Sequence, residues 1–444
     1  GICDSGGEVY VVGGAIRNFL YNYFHETNKK IKDFDFLVRL LNANQLEDVL
    51  IKYGMVKEVG KSFGIILFVP HDAHNPNTFI EFALPRIEES TGPGYRDFIV
   101  ITDCLTTLDN DFSRRDATIN AIGYRIYSLN DLSSLTSIDD KSKNIVDKLI
   151  DPFNGMVDVK NRIWRCVGDP DKRFSEDPTR IMRAFRQSAE LNLTIDDVTM
   201  ESIKKDFKLM SDLIPKSYVR LFNEFIRMLT VPYSQYVTYL NILNDFGILK
   251  FFGIDYDCSD EINIQALDEF NCYMKFAVII RPDKMESDIK KWIHDRQISA
   301  TQYINSDHIL FFVIIQKYWR QFTQTDNKYD MLVLLGSMHQ QYKNVSFVMT
   351  TDVVWYLHIV KVIDRHTLDY LVSLCNECKS YPATTDQIVI NGNILMTRWN
   401  VVGKNIGDVK KKILNEIFKD NISNTIDDIN KYLAAICIES INNE

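Results

Sequence analysis

Asp33 and Asp35 stand one residue apart inside the strand-like run Ile31–Val38. Side chains at i and i+2 of a strand share a face, so this spacing predicts two carboxylates projecting together, about 6–7 Å apart along the strand. Carboxylates held that close repel unless a divalent cation lies between them. Taken alone, Asp-x-Asp also fits a solvated edge strand. Upstream, the apolar run Val9–Val12 is broken by Gly13-Gly14, and Arg17 follows where a helix should open. A glycine turn lets backbone N–H groups approach phosphate. Read together, the two segments predict a Mg²⁺-dependent site for a nucleoside triphosphate.

Two downstream clusters could complete such a site. In Asp111–Ala121, Arg114 and Arg115 offer forked donors suited to triphosphate oxygens, and Asp116 could accept from a ribose hydroxyl. The same residues also fit a surface ion cluster opening a helix. In Arg173–Arg183, Ser175, Glu176 and Asp177 suit an N-cap and first turn, with Pro178 at an early helical position. Asp177 and Arg180 are i, i+3 neighbours that set an acceptor beside a fork of donors. Cytosine and adenine each show an amino donor beside a ring-nitrogen acceptor, whereas uracil and guanine show a carbonyl and an N–H. The pair could thus select C and A by leaving buried groups unpaired against U and G. A helix-stabilising ion pair is the plainer account of the same spacing.

The elements expected to position these residues fall in two regions. Up to about residue 165, short runs alternate with glycine turns: Glu8–Val12, Asp35–Val38, Phe63–Val69, Thr78–Ala83 and Ile119–Tyr124. Glu81 in one of them is a possible third carboxylate. Arg86–Asn110, containing Thr91-Gly92-Pro93-Gly94, reads as a mobile segment, and Ser128–Lys143 as a surface insertion. From Ser175 no glycine occurs until Gly247, and helical periodicity takes over, with Tyr218–Thr230 and Ser234–Phe246 among the expected helices.

At 444 residues the chain has length for two to four domains. A net charge of −9 is unexpected for a nucleic-acid binder, which needs at least a basic patch. Lys404 and Lys410-Lys411-Lys412 could provide one, or form a solvated helix face. Cys375 and Cys378 have metal-type spacing without the second pair zinc usually needs, so reduced thiols in a cytoplasmic protein are expected. Apolar runs such as Ile309–Ile315 are too short to span a bilayer, and no signal peptide is visible.

Gly13-Gly14-Ala15-Ile16-Arg17, Asp33-Phe34-Asp35, Arg114-Arg115-Asp116, Asp151–Gly155 and Glu176–Arg180 occur in this order. In these motifs the chain resembles the class II tRNA nucleotidyltransferases (CCA-adding enzymes) and the related bacterial poly(A) polymerases. Leu213-Ile214-Pro215, Asn244–Leu249, Ile390–Leu395 and Gly403–Gly407 extend the resemblance to nearly full length. It implies an α+β fold: a nucleotidyltransferase head of the DNA polymerase β-like superfamily over 1–165, then an all-α neck (166–232), body (233–380) and RNA-engaging tail (381–444). Asp33 and Asp35 would hold two Mg²⁺. Gly13, Gly14, Arg17 and Arg115 would grip the triphosphate and Asp116 the ribose. Asp177 and Arg180 would read the base, with Arg183 also reaching the nucleotide. The implied partners are the tRNA 3′ end, CTP and ATP, without a membrane, and a monomer is expected. The implied activity is addition of CCA to tRNA. Poly(A) synthesis or A-only addition is the alternative, disfavoured by the acidic, polar stretch Glu439–Glu444, and a non-catalytic tRNA-binding module is the third. Asn18 replaces the family's usual aspartate after the arginine, where a small effect is expected. The tail lacks the usual Pro-Gly-Pro before Gly407.

Overall fold

The computed structural model describes residues 1–444 apart from 32–33, 59–63, 74–78, 93–97, 140–141, 258–261, 287, 299–302, 343–344, 346, 402, 404 and 442–444. Asp33, Pro93-Gly94 and Lys404 therefore lie outside the described residues. Two compact units divide the chain, Gly1–Phe252 and Gly253–Glu444.

The first unit opens with β1 (Glu8–Val12), α1 (Gly14–His25), β2 (Asp35–Arg39), α2 (Ala43–Leu50), β3 (Gly54–Glu58), β4 (Ile65–Pro70) and β5 (Ile80–Ala83). It continues with β6 (Arg86–Ser90), β7 (Phe98–Thr102), α3 (Leu108–Ser113), β8 (Gly123–Ile126), α4 (Leu129–Ser134), α5 (Ser142–Val146) and α6 (Gly155–Asn161). Then come β9 (Ile163–Trp164), α7 (Pro170–Glu176), α8 (Thr179–Leu191), β10 (Thr194–Ile195), α9 (Asp197–Met228), α10 (Tyr233–Asp245) and α11 (Ile248–Phe251). Among the described residues the main sheet has the order β3-β4-β5-β2-β1-β8. The β2–β5 pair is parallel and the other pairs are antiparallel. Its middle strands read as β-branched and aromatic runs, as strands covered on both faces do. Val38, Leu46, Val49, Phe68 and Phe82 share one buried cluster, which seats α2 on the sheet.

β2 begins at Asp35, as the run Asp35–Val38 predicts, and extends to Arg39. Several expectations change. Arg86–Asn110 is not an unpacked segment: β6 and β7 pair antiparallel from Arg86↔Thr102 to Ser90↔Phe98, and α3 follows. The glycine-proline sequence that suggested mobility falls between two segments joined by a backbone ladder, which composition does not reveal. Ile119–Tyr124 divides into a 3₁₀ turn, Thr118–Asn120, and strand β8. Ser128–Lys143 carries α4 and the start of α5, with Leu135 and Ser142 buried. The helix expected from Tyr218 is the last third of α9, continuous from Asp197 through Pro215. Ser175 and Glu176 end α7 instead of opening the next helix.

The second unit is helical throughout its described residues, with long helices at Ser306–Thr323, Lys328–Gln341, Phe347–Ile359 and Arg365–Cys378. Ile390, Leu395, Ile413, Ile417, Ile429 and Leu433 form the core of its C-terminal part. Within Ile390–Leu395, Asn391 caps the helix Gly392–Trp399 by accepting from Ile394 N at 3.0 Å. Cys375 and Cys378 are buried, and burial pushes both thiols up to about 12, so they stay protonated at neutral pH. Among the described residues no helix is long and apolar enough to cross a membrane.

Candidate active site

The turn between β1 and α1 is built on Gly13, whose φ of +73° is a conformation L side chains rarely adopt. A Cβ there would also lie 3.0 Å from Arg115 Nη1 and 3.7 Å from Asp35 Oδ2. The glycine therefore lets one guanidinium and one carboxylate close over the first turn of α1, whose leading N–H groups favour an anion. Asp35 is the first residue of β2, opposite Val12, and it is exposed. Glu81 lies beside it, because β2 and β5 run parallel with Phe36 level with Phe82.

Asp35, Glu81, Gly13 and Gly14 border one cavity of about 730 Å³. Among the described residues lining it, ten are Arg or Lys and five are Asp or Glu. An acidic chain thus concentrates a basic surplus in one concave place, the pattern of a polyanion site. Arg17, Arg115, Asp116, Asp177, Arg180 and Arg183 all line it, so the sequence-predicted residues that the structure describes converge there.

Most of these arginines are held by specific partners. Arg17 donates to Asn120 Oδ1 at 2.7 Å and, through Nε and Nη2, to Asn18 Oδ1. Asn18, expected to matter little, helps aim that guanidinium. Buried Asp111 accepts from Arg114 Nη2 at 2.6 Å and pairs with Arg115 Nη2 at 3.4 Å. Arg115 Nη1 donates to Asn120 O, while its Nε is buried without a hydrogen-bond partner among the described residues. Glu88 of β6 pairs with Arg114 at 3.1 Å. On α8, Arg180, Arg183 and Gln187 follow an i, i+3, i+7 face toward the cavity. On α9, Glu224 pairs with Arg183 at 3.3 Å and also with Arg186, while Arg227 pairs with Glu190 at 2.5 Å.

Asp116 differs from its expected role as a ribose acceptor. Its Oδ1 accepts from Ala117 N and Asn120 Nδ2, and its Oδ2 from Arg183 Nε, Arg183 Nη2 and Gln187 Nε2, each within 2.9 Å. Burial alone would raise its pKa. The neighbouring Arg183 charge and the hydrogen bonds of Asn120, Arg183 and Gln187 overcome that and hold the carboxyl well below the usual range. A ribose hydroxyl would have to displace one of these donors. Asp177 ends α7 and caps α8 from outside: its Oδ1 accepts from Thr179 N at 3.0 Å and Thr179 Oγ1 at 2.6 Å. Its Oδ2 lies 3.8 Å from Arg220. Arg180 Nη2 donates to Arg114 O, and Arg180 Nη1, buried without a hydrogen-bond partner among the described residues, lies 4.0 Å from Glu176 Oε2.

Asn120, Gln187, Glu190 and Glu224 escaped the sequence reading, since buried amides and distant acids have no spacing signal. Arg220, Glu224 and Arg227 do follow i, i+4, i+7 on α9, which could have marked one face.

Hard carboxylate oxygens at the strand edge, with cations facing them, suit a divalent cation of the Mg²⁺ type bridging to phosphate. Among the described residues no group of three or more His, Cys, Asp or Glu is placed to hold a metal ion, and Asp33 lies outside them.

The cation cluster is uncomfortable without an anion. Burial, then the neighbouring Arg186 charge, lowers the Arg17 pKa from 12.5 to about 10. Between those two pH values the unfolded chain binds a proton that the folded chain does not, so stability rises with pH there. At neutral pH Arg17 is consequently charged at a cost that a bound polyanion relieves. Inorganic pyrophosphate at 100 times its Kd should stabilise the fold by about 2.7 kcal/mol. In thermal melts, Arg17→Gln should retain or raise the ligand-free Tm and shrink the pyrophosphate-induced increase.

Residues 9–165 match the family described as the poly A polymerase head domain. Over 441 residues the chain is 26% identical to the CCA-adding enzyme of Lactobacillus helveticus, covering 97% of this chain and 94% of that protein. It is 32% identical over 254 residues to the multifunctional CCA protein of Pseudoalteromonas atlantica, covering 56% of this chain and about half (52%) of that protein. Among solved structures, the Bacillus stearothermophilus CCA-adding enzyme in complex with CTP superposes with a TM-score of 0.68 at 18% identity, covering 100% of this chain and 96% of that one. The Thermotoga maritima CCA-adding enzyme complexed with tRNA-CCA gives 0.62 at 19% identity, covering 98% and 92%. Likeness at these identities establishes a shared fold, a mixed-sheet head followed by helices.

Proposed function

We propose, for a chain that belongs to the family of class II tRNA nucleotidyltransferases and bacterial poly(A) polymerases, that it adds or repairs the 3′-terminal CCA of tRNA from CTP and ATP. The observation that carries this reading is a basic cavity that brings Asp35, the Gly13-Gly14 turn, Asp177 and Arg180 together. In the reaction the RNA 3′-hydroxyl oxygen bonds to the α-phosphorus as the bond to the β-phosphate oxygen breaks, and pyrophosphate leaves.

Asp35, with Asp33 and with Glu81 as a third candidate, would hold Mg²⁺, which when bound supplies Lewis-acid activation of the hydroxyl and charge neutralisation on the phosphates. The remaining work falls to the chain itself. Gly13 and Gly14 open the backbone of α1 to the triphosphate, and Arg17 and Arg115 neutralise its oxygens. Asp116 holds Arg183 in place. Arg180 Nη1, buried without a hydrogen-bond partner among the described residues and 4.0 Å from Glu176 Oε2, is the donor that would meet a base. Asp177 Oδ2 is the matching acceptor, since Oδ1 is engaged by Thr179. Two donor–acceptor contacts of this kind discriminate by about 1–3 kcal/mol. The head, neck, body and tail over 1–165, 166–232, 233–380 and 381–444, and a cytoplasmic, monomeric protein, belong to the same proposal.

Purified protein, Mg²⁺ and tRNA ending at its discriminator base should incorporate C, C and A in order when given labelled CTP and ATP. Long A tracts, or transfer from ATP alone, would identify the poly(A) or A-adding alternative. No incorporation from any nucleotide would leave a tRNA-binding module.

A further inference from the structure

We propose that Gln187, oriented by Trp164, is a positioning residue for nucleotide binding: it fixes Asp116 and Asn120, and through them aims Arg183 and Arg17 into the cavity. The inference rests on the nucleotide-binding reading of that cavity. Gln187 borders it but is only 1% exposed, and both polar atoms of its side chain are engaged by protein. Its Oε1 accepts from Asn120 Nδ2 at 2.8 Å and from Trp164 Nε1 at 3.1 Å, while its Nε2 donates to Asp116 Oδ2 at 2.9 Å. Trp164 is fully buried on β9, beyond reach of any ligand.

The direction of every bond follows from this indole. Trp164 Nε1–H can only donate, so the Gln187 carbonyl must face it and the Gln187 amide N–H must face Asp116. Asn120 then has its own orientation fixed, because its Nδ2 finds two acceptors, Asp116 Oδ1 and Gln187 Oε1. That turns Asn120 Oδ1 toward Arg17 Nη1 at 2.7 Å. On the other branch, Asp116 Oδ2 takes Arg183 Nε and Nη2 together, which sets the plane of that guanidinium. A flipped Gln187 would present carbonyl to carboxylate and N–H to N–H, leaving both its own polar groups and those of Asp116, Asn120 and Trp164 mismatched. Such groups cost far more unpaired than the paired bonds contribute. One buried indole thereby propagates, through two amides and one carboxylate, to two arginines about a triphosphate.

The test combines Gln187→Glu and Trp164→Phe with CTP and ATP affinities measured by calorimetry in the absence of RNA, and with KM and kcat measured across pH. Gln187→Glu keeps the acceptor that faces Trp164 and Asn120 but sets a second carboxylate against Asp116, and the two repel at that distance whenever both are ionised. Its CTP and ATP affinities should fall about tenfold at pH 8. They should recover toward pH 5.5, where the new carboxyl regains a proton and donates as the amide did. The loss should appear in KM, with kcat at saturating nucleotide nearly unchanged. Trp164→Phe, which removes one donor and keeps the bulk, should weaken both affinities about threefold, and its effect should vanish when combined with Gln187→Glu. A lowered Tm with unchanged affinities and a flat pH profile would overturn the proposal, and if Gln187→Glu fails to fold, Trp164→Phe decides alone on its affinities. Wild-type protein that binds neither CTP nor ATP would overturn the nucleotide reading itself, and this inference with it.

Discussion

Asp35→Asn should leave the protein folded and able to bind CTP while lowering nucleotide transfer by on the order of 10³-fold, equivalent to about 4 kcal/mol of lost transition-state stabilisation. The two halves of that expectation have different sources. Asp35 is exposed at the edge of a strand whose pairing runs through the backbone, so the substitution removes no core and no ladder bond. Thermal melts should therefore shift by less than the effect of a typical buried change. Its carboxylate, however, is the described hard ligand nearest the Gly13 turn, and an amide oxygen carries no charge for a divalent ion. Single-turnover transfer to tRNA at saturating CTP, alongside calorimetric CTP binding without metal, separates the two. Transfer within threefold of wild type would remove Asp35 from the metal site.

Asp177→Asn should alter base choice more than stability. Oδ1 accepts both from Thr179 N and from Thr179 Oγ1, and an asparagine carbonyl can keep those bonds. Its amide N–H₂ must then occupy the place of Oδ2, so a donor meets the amino group of cytosine or adenine where an acceptor stood. A reversed contact of this kind costs about 1–3 kcal/mol. We expect kcat/KM for CTP and ATP to fall by about 10- to 100-fold, and their advantage over UTP and GTP to shrink similarly. Asp177→Ala should lose the same selectivity and, in addition, about 1 kcal/mol of stability with the cap of α8. Competition assays with mixed nucleotides measure the first effect and denaturant melts the second. Full selectivity in Asp177→Asn would place base recognition elsewhere.

Both expectations grow from residues whose chemistry was visible in the sequence, because their spacing is local. Gly13-Gly14 with Arg17, Arg114-Arg115-Asp116 and Asp177 with Arg180 each lie within one turn or one helix face, where covalent geometry sets who can be neighbours. The strands β1 and β2 were equally legible, since β-branched and aromatic runs between glycines mark buried pleats. The pairing of β6 with β7 was not, because the glycine-proline sequence between them has the composition of an unpacked loop and a ladder is visible only when both strands are present. The single long helix α9 was masked in the same way by Pro215, a helix breaker that here lies inside a continuous helix.

What the amino-acid order determined by itself was the set of chemical groups: two aspartates one residue apart, a glycine turn for phosphate, and a donor–acceptor pair for a base edge. The tertiary structure alone decided which of those groups remain available to a substrate. Asp116 looked like a free acceptor and is instead saturated by Arg183, Asn120 and Gln187, while Arg180 lies 4.0 Å from Glu176 and, among the described residues, keeps one donor without a hydrogen bond. The reason is that hydrogen-bonding capacity is finite and is consumed by neighbours far along the chain, as Gln187 and Glu224 are from Asp116 and Arg183, so spacing can nominate a group but only packing leaves it free.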